Sequence, residues 1–159
     1  RAWNIMRLAP QHTFLVCTKR PSGMADLLVP STMTVPNIAV GVTGENQEAY
    51  QYRVALLHAL PATCRNISME PLLGPVRMWD FLMEGISCVI VGCESGKGAR
   101  ETKLEWVRDI RDQCAAAGVD LWVKQLQVNG KFVNRLEDFP EDLRIRRLPW
   151  VQGEADAKG

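Results

Sequence analysis

Short apolar runs rich in β-branched residues recur along this chain, and helix-patterned stretches separate them. The runs are TFLVCT at 13–18, NIAVGVT at 37–43, RNISM at 65–69, SCVIVG at 87–92 and DLWVKQL at 120–126. The clearest helix is expected over 103–117. Leu104, Val107, Ile110 and Cys114 recur on one face there, Thr102 and Glu105 have capping-box spacing, and Gly118 supplies the stop. A second is expected over 46–59, ended by Pro61, with shorter helices near 22–28 and 76–84 and a helical tail over 1–9. Strands alternating with helices require right-handed crossovers between parallel strands. The expected class is therefore α/β, with about five parallel strands covered on both sides, either as an open sheet or as part of a (β/α) barrel.

Polar residues cluster after each run, at what would be the carboxyl ends of the strands. These are Thr18-Lys19-Arg20, Thr43-Gly44-Glu45-Asn46-Gln47, Glu70, Cys93-Glu94-Ser95 and Lys124-Gln125. Barrels and open α/β sheets both place their sites at that edge. Five strands feeding one rim would set Glu45, Glu70 and Glu94 around one mouth, with Lys19 and Lys124 near them. Each residue also has a plain structural reading: Glu45 can favour a helix N-terminus, Lys19 and Arg20 can form a solvent-facing turn, and Lys124 can pair with a carboxylate purely for structure.

The stretch VIVGCESGKGAR (89–100) contains Gly-Lys, yet it is no phosphate-binding loop of the G-x-x-x-x-G-K-[ST] type. Val91 stands where the first glycine belongs, and Gly98 where the hydroxyl belongs. Glu94 is the residue singled out in it, with Lys97 expected in solvent. His12 and His58 have no triad context. The five cysteines show no zinc spacing, and Cys17, Cys64, Cys88 and Cys114 are expected to be reduced and buried. No metal ligands are assigned. The net charge of +1 draws the chain to neither nucleic acid nor membrane, and Arg144-Ile145-Arg146-Arg147 is expected to be a solvated face. With no long apolar run and no signal-peptide core, the expected location is the cytoplasm. The substrate and the oligomeric state are left open.

The blocks HTFLVCTKRP, PNIAVGVTGENQ, SMEPLLGP, CVIVGCESGKGAR, VRDIRDQCAAAGV and LWVKQ, in this order over residues 8–126, resemble an uncharacterised phage and prophage family. It is often called the gp-thirty-seven/gp-sixty-eight family. EPLLGP and GxESGxxAR are the specific motifs, and PEDLRIRRLPW extends the similarity thinly. Members usually begin with three clustered cysteines like those with which radical S-adenosylmethionine enzymes hold a 4Fe-4S cluster. The resemblance implies a radical-SAM-like partial parallel (β/α) barrel over 1–128, lacking its first βα unit, followed by a hairpin at Asn129-Gly130 and a tail over 129–159. It departs from the family pattern in that the three-cysteine segment is absent, Cys93 replaces a common glycine, Gly44 replaces a small or aliphatic residue, and the stretch after Gln125 differs.

On this resemblance Glu45, Asn46, Glu94, Ser95 and Arg100 are the expected cofactor-binding residues, Glu45 with Asn46 and Glu94 with Ser95 offering acceptors to the amino group and ribose hydroxyls of S-adenosylmethionine. Glu70, Lys19 and Lys124 are the expected catalytic residues, the lysines meeting a carboxylate or phosphate. The cluster and cofactor are expected in a longer protein, not in this chain alone, and the reaction is open, nucleic-acid or nucleotide modification included. Two other functions compete: a non-catalytic phage accessory or binding module, and a hydrolase using Glu45, Glu70 and Glu94 around magnesium.

Overall fold

The computed structural model describes residues 2–27, 35–60 and 62–150. Helix α1 (Ala2–Arg7) precedes β1 (Phe14–Thr18), α2 (Pro21–Leu27), β2 (Ile38–Thr43), α3 (Gln47–His58) and β3 (Cys64–Met69). Next come α4 (Asp80–Met83), β4 (Cys88–Gly92), α5 (Leu104–Ala117), β5 (Asp120–Val128) and β6 (Lys131–Val133), with 3₁₀ turns at Leu136–Asp138 and Glu141–Leu143. The strands form one open sheet in the order β1-β2-β3-β4-β5-β6, the first five parallel and β6 antiparallel to β5. All five expected strands are present within a residue or two of their expected bounds. At the hairpin, Asn129 and Gly130 both take positive φ, 51° and 74°, the pairing that a two-residue turn between twisted strands requires.

An order that never reverses, built from crossovers of one hand, sends the connecting helices to one side. The core follows this rule. Ile38, Val40 and Val42 of β2, Ile67 and Met69 of β3, Val89 and Val91 of β4, and Leu121 and Val123 of β5 pack in one cluster with Tyr50, Val54 and Leu57 of α3 and Val107, Ile110 and Cys114 of α5. The central strands β2 and β4 are nonetheless buried on both faces, as expected. Side chains alternate along a strand, so the other face carries Ala39, Gly41 and Thr43, then Asn66, Ser68 and Glu70, then Cys88 and Ile90, then Trp122 and Lys124. Ala39, Cys88 and Ile90 are buried but lie outside the main cluster.

Several local expectations are corrected by tertiary contacts. The helix expected over 76–84 shrinks to Asp80–Met83, because side-chain amides take over the preceding backbone. Gln47 bonds both the N–H and the C=O of Arg77, and Gln113 bonds the N–H of Met78 and the C=O of Val76. The capping box does not form: the Thr102 hydroxyl donates to Leu72 O at 2.7 Å, and Lys103 takes the N-cap position without a side-chain bond. Gly118 does end α5, in the left-handed conformation at φ 66°. Cys17 is exposed and Cys64 half-buried, whereas Cys88, Cys93 and Cys114 are buried. Cys17 lies on the edge strand, facing the side without helices.

In the basic cluster Arg144 and Arg147 are exposed, while Arg146 is half-buried. Arg144 donates to the carbonyls of Phe139 and Glu137, while Arg146 donates to those of Val123, Lys124 and Asn134 and lies over the Trp122 and Phe139 rings. Arg146 thus fastens the C-terminal segment to β5, and Phe139 and Leu143 join the core. Pro61, residue 28 of the expected short helix, and residues 151–159 of the expected tail lie outside the described residues.

Candidate functional site

The parallel register brings the ends of β2, β3 and β4 to one edge, since Thr43 pairs with Ser68 and Met69 with Val91. Glu45, Glu70 and Glu94 follow those three strands directly, so all three carboxylates stand at the carboxyl edge of the sheet. Each is ion-paired there.

Glu45 is 7% exposed. Lys19 reaches it from the end of β1 at 2.5 Å, Arg53 reaches it from α3 at 2.5 Å, and the Thr43 hydroxyl donates to it at 3.2 Å. Burial pushes this carboxyl up, but bonds from Lys19, its own backbone N–H and Arg53 outweigh burial and hold it below its ordinary value. Neighbouring Asn46, an expected cofactor contact, caps α3: its side-chain oxygen accepts from Ala49 N at 2.9 Å.

Glu70 meets Lys124 at 2.7 Å. The pair spans β4 beside Gly92, where a Cβ would lie 3.4 Å from Glu70 Cγ and 3.1 Å from Gln125 Cγ. Lys124 stays largely exposed despite its apolar strand, because its position faces the side without helices.

Glu94 closes the glycine-rich loop onto itself. It accepts from the Arg100 backbone N–H at 2.8 Å, from Nε at 2.9 Å and from Nη2 at 2.6 Å. Those bonds hold the carboxyl down at about 2. Gly96 and Gly98 take the left-handed conformations that let the loop turn back, at φ 98° and 78°. Lys97 and Ser95 are exposed at its tip. The expected cofactor residues Glu94 and Arg100 are thus each other's partner first.

Cys17 stands on the β1 side of this rim, close enough to Glu70 and Glu45 to feel both charges. Although the residue is exposed, neighbouring atoms desolvate its thiol, the largest effect, and the sulfur is pushed up to about 11. Arg53, which no sequence pattern marked, proves central to the Glu45 site; its only sequence signal is its place on α3, eight residues after Glu45. His58 Nε2 lies 3.0 Å from Leu82 O, a structural contact. Among the described residues no group of three or more His, Cys, Asp or Glu side chains converges as a metal site.

Behind the rim, Asn66 is fully buried in the centre of the helix-free face. Neither its Oδ1 nor its Nδ2 has a hydrogen-bond partner among the described residues. Its amide lies over Gly41 of β2, in the space a Cβ would need.

The sequence model of a family described as "Protein of unknown function (DUF5131)" matches residues 1–143. The chain belongs to this family. Its match runs through every strand and through all the paired residues of the rim. No curated protein and no solved structure matches the chain. Among the described residues no helix is long and apolar enough to cross a membrane.

Proposed function

We propose that this chain forms the ligand-facing part of a (β/α)-barrel-type enzyme related to the radical S-adenosylmethionine group, with the carboxyl rim as its cofactor and substrate site. One observation carries the reading. Three consecutive parallel strands each end in a carboxylate paired with a cation, at the edge where α/β proteins bind ligands. A sequentially wound sheet with helices on one face supports it, because the helix-free face corresponds to the inside of such a barrel.

The rim residues fit the amino-acid head of S-adenosylmethionine. Arg100 and Lys19 can donate to its carboxylate, and Glu70 Oε1, which has no partner among the described residues, can accept from its ammonium. Bound there, the cofactor would supply a reactive sulfonium. The chain's own contribution is to orient that head group between paired charges. The four-iron cluster does not fit these residues, since its thiolates must converge and the five cysteines sit on separate elements. No step of the reading runs through it.

The test is calorimetric titration of S-adenosylmethionine into the parent, Glu94→Gln and Lys97→Ala. The reading requires saturable binding, weakened about tenfold in Glu94→Gln and by less than about twofold in Lys97→Ala. Absence of saturable binding, or a larger loss at Lys97, overturns it.

A non-catalytic binding module is favoured by one feature. Glu45 and Glu94 are both held below their ordinary values by cations, so neither is poised as a general base near neutral pH. The magnesium-hydrolase reading loses its support, because each rim carboxylate already faces a cation.

A further inference from the structure

We propose that the rim contains a phosphate subsite gripped jointly by Lys19 and Lys124. This deepens the reading of the rim as a ligand site and rests on it, though not on the identity of the cofactor.

In the Lys19, Lys124 and Arg100 pairs the carboxylate is shielded and the cation faces solvent, while Arg53 is shielded with Glu45. The side chains of Glu45, Glu70 and Glu94 are 9%, 17% and 29% exposed, against 60%, 54% and 60% for Lys19, Lys124 and Arg100. A ligand approaching this edge therefore meets ammonium and guanidinium groups first.

The hydrogen-bond inventory points the same way. Both oxygens of Glu45 are taken, by Lys19 on one side and by Arg53 and Thr43 on the other. Both oxygens of Glu94 are taken by Arg100. An ammonium has three donors, and each rim lysine spends one on its carboxylate, so each keeps two. The open hydrogen-bonding capacity of the rim is mostly donor capacity, which suits a ligand group made of acceptors. The charge balance agrees: Lys19, Arg53, Arg100 and Lys124 against Glu45, Glu70 and Glu94 is four to three, one positive charge in excess.

Geometry makes the two lysines converge. Lys19 starts on β1 and leans to the carboxylate after β2; Lys124 starts on β5 and crosses Gly92 to the carboxylate after β3. Their ammonium groups thus sit beside the carboxylates that follow two neighbouring strands. A tetrahedral phosphate can accept charge-assisted bonds of about 2.8 Å from both, on different oxygens. A carboxylate, with two oxygens and one charge, would use only part of this set. Gly92 keeps this edge uncrowded, since a Cβ there would lie 3.1 Å from Gln125 Cγ, tighter than an ordinary contact.

The test uses inorganic pyrophosphate as the probe, titrated calorimetrically at fixed ionic strength into the parent, Lys19→Gln, Lys124→Gln and the control Lys131→Gln on β6. Saturable 1:1 binding, weakened about tenfold by either rim substitution and by less than about twofold in the control, is expected. The double variant Glu70→Gln/Lys124→Gln removes both charges of a pair and covers the case in which an unpaired Glu70 unfolds the single variant; it too should bind about tenfold more weakly. No saturation, equal affinity in parent and rim variants, or citrate binding as tightly as pyrophosphate would each overturn the subsite. A parallel titration with S-adenosylmethionine separates the two proposals. Cofactor binding without pyrophosphate binding refutes the subsite alone, and the converse refutes the cofactor alone.

Discussion

Replacing Gly41 by alanine tests the least expected contact in the sheet. An ideal Cβ at Gly41 would lie 2.5 Å from Asn66 Cγ and closer still to its Oδ1 and Nδ2. Ordinary carbon contacts begin near 3.5 Å, so the overlap is on the order of 1 Å. Asn66 cannot escape to solvent, since it is fully buried. Overpacking of this kind costs about 1–3 kcal/mol, and the entropic benefit of alanine over glycine in the unfolded chain returns about 0.4–1 kcal/mol. The net expectation is a loss of about 1–2 kcal/mol, or roughly 2–8 °C in melting temperature for a chain of this size. Asn66→Ala deletes an amide whose two polar atoms are buried without partners among the described residues. It therefore relieves about 1–3 kcal/mol of desolvation while losing packing, and should be close to neutral. In the Asn66→Ala background the methyl group at position 41 has room, so the Gly41→Ala penalty should vanish and the coupling should be about 1–2 kcal/mol. Urea denaturation followed by tryptophan fluorescence measures all four corners of the cycle. An equal penalty in both backgrounds, or none in the parent, would show that the amide does not occupy the space over Gly41.

Three further outcomes follow from the rim and its supports. The Glu94 carboxyl lies at about 2 against an ordinary 4.5, so its clasp on Arg100 is complete above about 4.5 and is lost as the pH falls toward about 2; the Arg100 amide resonance should shift across that window, and a midpoint at 4.5 would refute the clasp. Cys17, with its thiol pushed up to about 11, should be alkylated about tenfold faster per pH unit from 8 to 10, read by peptide mass spectrometry, and a plateau near 8.5 would contradict its desolvation. Thr102→Val should lower stability by about 1–2 kcal/mol through loss of the bond to Leu72 O, whereas a change within about 0.3 kcal/mol in urea titration would show that this bond contributes nothing.

Legibility differed sharply between the strand ends and the contacts that explain them. Glu45, Glu70 and Glu94 could be placed on one edge from sequence because they directly follow β-branched runs, and a parallel sheet leaves no other edge for them. Their partners were partly foreseen: Lys19 and Lys124 were singled out, but Arg53 was not, since its link to Glu45 passes from a helix to a strand end. Asn46 caps α3 with its side-chain oxygen, a role that an Asn before a helical run shares with ligand contact. Thr102 was read as a cap where its hydroxyl serves Leu72, thirty residues away.

The sequence alone determined the α/β class, the five strands, the hairpin at Asn129-Gly130 and the stop of α5 at Gly118, because these depend on side-chain period and on backbone conformations set within a few residues. Tertiary structure decided that the helices share one face, that residues 76–79 stay extended under the amides of Gln47 and Gln113, and that the basic segment at 144–147 fastens to β5. It also decided which member of each rim pair faces the solvent. Those outcomes depend on groups distant in sequence competing for the same hydrogen bonds and the same space, as Asn66 and Gly41 do, and neither periodicity nor local propensity carries information about who wins.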